Sequence, residues 1–94
     1  MTSEEIHILF EKAFDDAYKI PQDTVPQDVQ LVLYGLYKQS TSGSSTYSYN
    51  QNPQDLRNAF KLNAWMQVQE LSEDDAKLEY IKIINELKKE RNIK

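Results

Sequence analysis

Tyr34, Tyr37 and Lys38 fall together in the stretch VLYGLYKQ, residues 32–39, inside an otherwise apolar segment. At about 3.6 residues per turn, a helix brings the three to one face, with Lys38 one turn beyond Tyr34. A core would place Leu or Phe there, because each hydroxyl or charge taken from water needs a partner. Two phenols beside an ammonium have two readings. They are amphipathic residues with buried stems and wet tips, or they form a surface for something flat and anionic. The second chemistry is coherent: an ammonium donates charge-assisted hydrogen bonds to an anion, and a phenol ring covers a flat group.

Catalytic chemistry is harder to assemble. His7 is the only histidine, and there is no cysteine, so transition-metal sites, disulfides and thiol nucleophiles fall away. The carboxylate pairs Glu4/Glu5, Asp15/Asp16 and Asp74/Asp75 are adjacent in sequence and point apart on a helix. No Gly-rich phosphate loop, nucleophile elbow or Ser/His/Asp set is present. The chain reads as a binding protein with no cofactor and no metal rather than an enzyme. A net charge of −4 argues against nucleic acid as a partner while leaving room for a local cationic pocket.

Four helices must position these residues. At 94 residues the chain is a single domain, 1–94, able to hide roughly 60–65% of its unfolded surface in one modest core. Only 2 Gly and 3 Pro, with abundant Lys, Glu, Leu and Ala, suit helices better than strands. Ile6, Leu9, Phe10, Ala13, Phe14 and Ala17 make one apolar stripe. Thr2 and Glu5 have capping-box spacing, and Pro21 ends the pattern, predicting a helix over 3–19. Residues 20–27 carry two prolines and read as a linker. A second helix spans 28–40, with Val29, Val32, Leu33 and Leu36 on its apolar side. The Ser, Thr, Asn and Tyr run STSGSSTYSYNQNP, residues 40–53, reads as a long loop. A third helix covers 54–69. A fourth begins after Ser72 with Glu73, Asp74 and Asp75 in its first turn, carries Ala76, Tyr80, Ile83, Ile84 and Leu87, and ends in Lys88, Lys89, Arg91 and Lys94, complementing the helix dipole at both ends. The fold class is all-α, a four-helix bundle.

The fragments LYGLYKQ, FKLNAW and SEDDAKLEYIKIINELKK, together with FEKA at 10–13, resemble the acyl-CoA-binding protein family, in order and at close to its spacing over nearly the whole chain. That resemblance implies a four-helix bundle with a shallow bowl that holds a fatty acyl-CoA thioester. It implies that Tyr34 and Lys38 meet the 3′-phosphate and adenosine head, that Lys61 brings a second cation to the phosphates, that Tyr80 contributes at the adenine end, and that Tyr37 lines the groove. Trp65 reads as core. The family's pattern departs in three places. Leu62 stands where a tryptophan is usual. The 40–53 loop lacks the acidic and Pro-Gly elements expected there. Phe14 stands where the first helix tends to be small, near the acyl path, which predicts a narrower or shorter trough.

The function expected is an intracellular carrier and buffer of long- or medium-chain fatty acyl-CoA. It would be a cytoplasmic monomer making transient contacts with acyl-CoA-using enzymes and no stable membrane insertion. No apolar run approaches the roughly 18 residues a membrane span needs, and the N-terminus carries no signal-peptide pattern. The rival is a helical interaction module that has lost its ligand, with Tyr34, Tyr37 and Trp65 forming a partner groove. A third reading lays the basic end of the fourth helix on an anionic membrane. Glu86 and Glu90 make that end mixed rather than polybasic.

Overall fold

The computed structural model describes residues 1–42 and 56–93. Four helices, α1 (Ser3–Ala17), α2 (Gln27–Ser42), α3 (Leu56–Gln67) and α4 (Glu73–Glu90), are joined by one short 3₁₀ turn at Gln22–Thr24, and no strand occurs among the described residues. Loop positions 43–53 and the side chain of Leu62 lie outside what is described.

The helix ends follow from local chemistry. Thr2 Oγ1 accepts the Glu5 N–H at 3.1 Å, and Ser72 Oγ accepts the Asp75 N–H at 3.1 Å, so both predicted caps form. Helix α1 stops at Ala17, short of the expected 19. Its chain tightens into bonds from Tyr18, Lys19 and Ile20 back three residues before Pro21 forbids further helix. At the end of α4, Asn92 adopts φ 56°, Ile93 N–H bonds Lys88 O at 2.9 Å and Asn92 N–H bonds Lys89 O at 3.3 Å. That pairing is a Schellman close with asparagine in the left-handed position, and Ile93 then packs against the core.

Helix α2 runs further than its composition predicts. The sequence pattern ends the helix and begins the loop at Ser40. Instead Ser40 Oγ donates to Leu36 O at 2.6 Å and Thr41 Oγ1 to Tyr37 O at 2.9 Å. Hydroxyls that bond back one turn satisfy themselves without leaving the helix. Helix α3 is shorter at its C-terminal end than the expected 69, closing in 3₁₀-type bonds from Val68 and Gln69.

Helix α4 is the spine: α1 packs on it, α2 packs on it from another side, and α3 packs on α2. The bundle is thin, with extents of 40 × 33 × 16 Å, so among the described residues Ile84 is the one larger side chain almost wholly sealed from water. Around it Phe10, Ala13, Ile20, Val25, Leu36, Ala76, Tyr80 and Leu87 form the buried cluster. Leu9 and Val32, read as stripe residues, stay exposed at the edges of their helices. The backbones of α1 and α2 do not approach each other. The gap between them, floored by α4, is the cavity described next.

Candidate ligand-binding site

The site begins with how closely α2 and α3 cross. A Cβ built on Gly35 would lie 2.5 Å from Ala64 O and 2.8 Å from Ala64 C, both backbone atoms. Only the missing side chain lets the two helices meet there. One turn further along α2, the Trp65 indole N–H donates to Gln39 Oε1 at 3.0 Å. On the other flank of the crossing Lys61 Nζ stands 5.1 Å from the centroid of the Tyr34 ring. Lys38 Nζ approaches the same ring at 5.9 Å. Tyr34 is thus attended by two ammoniums, one from each helix, at cation–π distance.

These residues open onto a cavity of about 680 Å³ between α1, α2, α3 and α4. Phe14, Tyr34, Tyr37, Lys38, Lys61 and Tyr80 all line it, so the six residues singled out in the sequence share one wall system. Ile20, Val25, Leu31, Leu33, Ile84 and Leu87 supply an apolar surface, and Gln22, Gln27 and Gln30 supply amides. Among the described residues no carboxylate lines the cavity, although the chain carries 15 acidic residues. Among the described residues no acid lies within ion-pair distance of Lys38 or Lys61. Two half-buried ammoniums without acidic partners, at the edge of an apolar trough, suit an amphipathic anion: the charged end at Tyr34, Lys38 and Lys61, the apolar end along Ile20, Val25 and Leu33.

A run of aromatic rings crosses the gap between α1 and α2. Phe14 lies 5.0 Å from Tyr37 and 5.4 Å from Tyr18, while Phe10 lies 6.3 Å from Tyr37 and 5.1 Å from Tyr80. Tyr80 is only 6% exposed, yet its side chain reaches the cavity and its hydroxyl has no hydrogen-bond partner among the described residues. Burial, with smaller contributions from the nearby phenols of Tyr18 and Tyr37, pushes its pKa up to about 12. It therefore stays a neutral donor at any physiological pH. No group of three or more His, Cys, Asp or Glu side chains that could hold a metal exists among the described residues.

Sequence reasoning missed what holds the site together. Gln39 is buried, accepts from Trp65 and donates through Nε2 to Gln69 O at 3.0 Å and Leu71 O at 2.8 Å. Its signal was present, since a glutamine on the apolar side of a helix needs partners, and the indole N–H of a core tryptophan needs one too. Gly35 stands in the LYGLYKQ fragment, but its part in the helix crossing was not read from it. Gln22, Gln27 and Gln30 gave no signal at all.

The family model described as acyl CoA binding protein matches residues 7–84. The chain is similar to acyl-CoA-binding domain-containing protein 2 of Oryza sativa subsp. japonica, 35% identical over 81 residues that cover 86% of this chain and 87% of that protein. It is also similar to acyl-CoA-binding protein homolog 1 of Caenorhabditis elegans, 35% identical over 78 residues covering 80% and 90% of the two chains. The crystal structure of Oryza sativa acyl-CoA-binding protein 2 superposes with a TM-score of 0.88 at 31% identity, covering 96% of each chain. No helix among the described residues is long and apolar enough to cross a membrane.

Proposed function

The chain belongs to the acyl-CoA-binding protein family, and from that premise we propose that it holds medium- or long-chain fatty acyl-CoA in the cavity between α1 and α2. The phosphates of the headgroup meet Lys38 and Lys61, the base lies against Tyr34 with Tyr80 nearby, and the acyl chain follows the apolar trough past Tyr37 and Phe14. The observation that carries this reading is the Tyr34 ring flanked by two ammoniums at the edge of a cavity that no carboxylate of the described residues lines. Each buried methylene contributes about 0.8 kcal/mol, so over a long chain the trough dominates affinity and the headgroup contacts orient and select. Among the described residues no carboxylate or histidine lines the cavity. The role that follows is a cytoplasmic, monomeric buffer that passes acyl-CoA to the enzymes using it. The Phe14 ring occupies the α1 wall of the trough, which favours shorter acyl groups.

Calorimetric titration with palmitoyl-CoA, with free CoA and free palmitate as parallel controls, tests the reading. Tight binding of the thioester and weak binding of either half supports it. Binding of none of the three overturns it, and the partner-groove reading of Tyr34, Tyr37 and Trp65 takes its place.

A further inference from the structure

Tyr18 is 79% exposed and is not among the residues that line the cavity. By itself an exposed aromatic needs no explanation. Its surroundings give it one. Tyr18 follows Phe14 by four residues, so the two share a face at the C-terminal end of α1. The rings meet edge to face, 5.4 Å apart at 70°. Phe14 also meets Tyr37 at 5.0 Å and 41°. Phe14 therefore touches one half-buried ring, Tyr37, and one exposed ring, Tyr18. The Tyr18 backbone is itself fixed, because its N–H bonds Asp15 O at 3.2 Å and the next N–H, of Lys19, bonds Asp16 O at 2.9 Å.

We propose that Tyr18 is a positioning residue that braces Phe14 in the trough wall and thereby sets the acyl length the cavity accepts. The inference rests on the acyl-CoA reading above and deepens it. An edge-to-face contact of this kind biases a ring's position roughly two- to tenfold. Without it, Phe14 keeps only the Tyr37 ring of the two and turns toward the space Tyr18 vacated. The trough then lengthens, and each further methylene it admits raises affinity about fourfold.

Dissociation constants for decanoyl-CoA and palmitoyl-CoA, measured by calorimetry, test this in the wild type, Tyr18→Phe, Tyr18→Ala, Phe14→Ala and the double variant Tyr18→Ala/Phe14→Ala. The preference for palmitoyl over decanoyl should rise severalfold in Tyr18→Ala and stay at the wild-type value in Tyr18→Phe, which keeps the ring. It should rise in Phe14→Ala, and adding Tyr18→Ala to that variant should change nothing more. An unchanged preference in Tyr18→Ala, or an equal shift with and without Phe14, overturns the brace while leaving the acyl-CoA reading intact. A wild type that binds neither thioester overturns that reading and the brace with it.

Discussion

Trp65 on α3 donates its indole N–H to Oε1 of Gln39 on α2 at 3.0 Å, and both side chains are buried. Gln39 spends its amide on the carbonyls of Gln69 and Leu71, in the turn between α3 and α4. One side chain therefore fixes the register of α2 against α3 and ties down the exit from α3. Since Lys38 precedes Gln39 and Lys61 lies one turn before Trp65, this register brings the two ammoniums to the same Tyr34 ring. The hydrogen bonds are structural, but what they position is the cationic end of the cavity.

Replacing Gln39 with Leu removes the acceptor for Trp65 and the donor for two backbone carbonyls. Leaving buried polar groups without these partners costs about 1–3 kcal/mol each where water cannot reach them, so a total loss of about 3 kcal/mol in unfolding free energy is expected. Urea denaturation should show a lower midpoint with an unchanged slope. A midpoint equal to wild type would mean that water replaces the amide at little cost.

Gly35→Ala separates two opposing effects. Alanine gains about 1 kcal/mol of helix propensity over glycine. Here, however, the new methyl meets the Ala64 carbonyl at 2.5 Å, against backbone that cannot rotate aside. Forcing the helices apart costs about 1–3 kcal/mol. The expected result is a lower Tm together with weaker acyl-CoA binding, because Lys61 moves away from Tyr34. A rise in Tm would show that the crossing relaxes freely and that Gly35 is not needed for the approach.

Much of this was legible in the sequence, and the rest was not for identifiable reasons. Thr2, Ser72 and Pro21 act locally, so caps and stops could be read from neighbours alone. Ser40 and Thr41 misled because a hydroxyl has two uses, leaving a helix or bonding back into it, and composition does not say which. Lys88 and Arg91 read correctly as cations suited to a helix C-terminus, but the structure also gives them distant partners. Lys88 Nζ donates to Asp16 Oδ2 at 2.7 Å, and Arg91 Nε donates to Thr24 Oγ1 at 2.9 Å. Pairs 72 and 67 residues apart have no sequence signature. The six candidate site residues converge on one cavity because motif order fixed their helices. The amide and aliphatic lining between them follows only from how the helices pack.

Lys61→Ala should weaken acyl-CoA binding by about 1.5–3 kcal/mol, the range for hydrogen bonds to charged groups. Lys61 stands at the headgroup end, so the loss should be the same for short and long acyl chains. Helicity should be unchanged, since Lys61 is a half-buried cavity residue outside the core cluster. Tyr80→Phe should cost less, because the ring remains and only one hydroxyl is lost. Unchanged affinity in the Lys61 variant would remove the phosphate assignment, and a loss that grows with chain length would move Lys61 to the acyl end.

Acid should reveal the clamp between α1 and α4. Asp16 is buried, with Lys88 at 2.7 Å and Lys19 at 3.2 Å. The Lys88 ammonium hydrogen-bonded to it, helped by Lys19 and opposed by burial, holds its carboxyl below the ordinary value of 3.8. A carboxyl whose pKa is lower folded than unfolded binds fewer protons in the native state. Its stabilisation is therefore complete above the unfolded value and drains away as pH falls below about 3.8 toward the folded one. Lys88→Met leaves a buried carboxylate with only the more exposed Lys19 beside it. That should cost roughly 3 kcal/mol at pH 7, the low end for breaking a buried pair. The variant should also lose part of the wild type's steepening acid sensitivity below pH 4, because Asp16 no longer has its main partner to lose. Thermal unfolding of the two proteins from pH 7 to pH 2 checks both expectations. Parallel curves across that range would show that the Asp16–Lys88 pair contributes nothing through the protonation of Asp16.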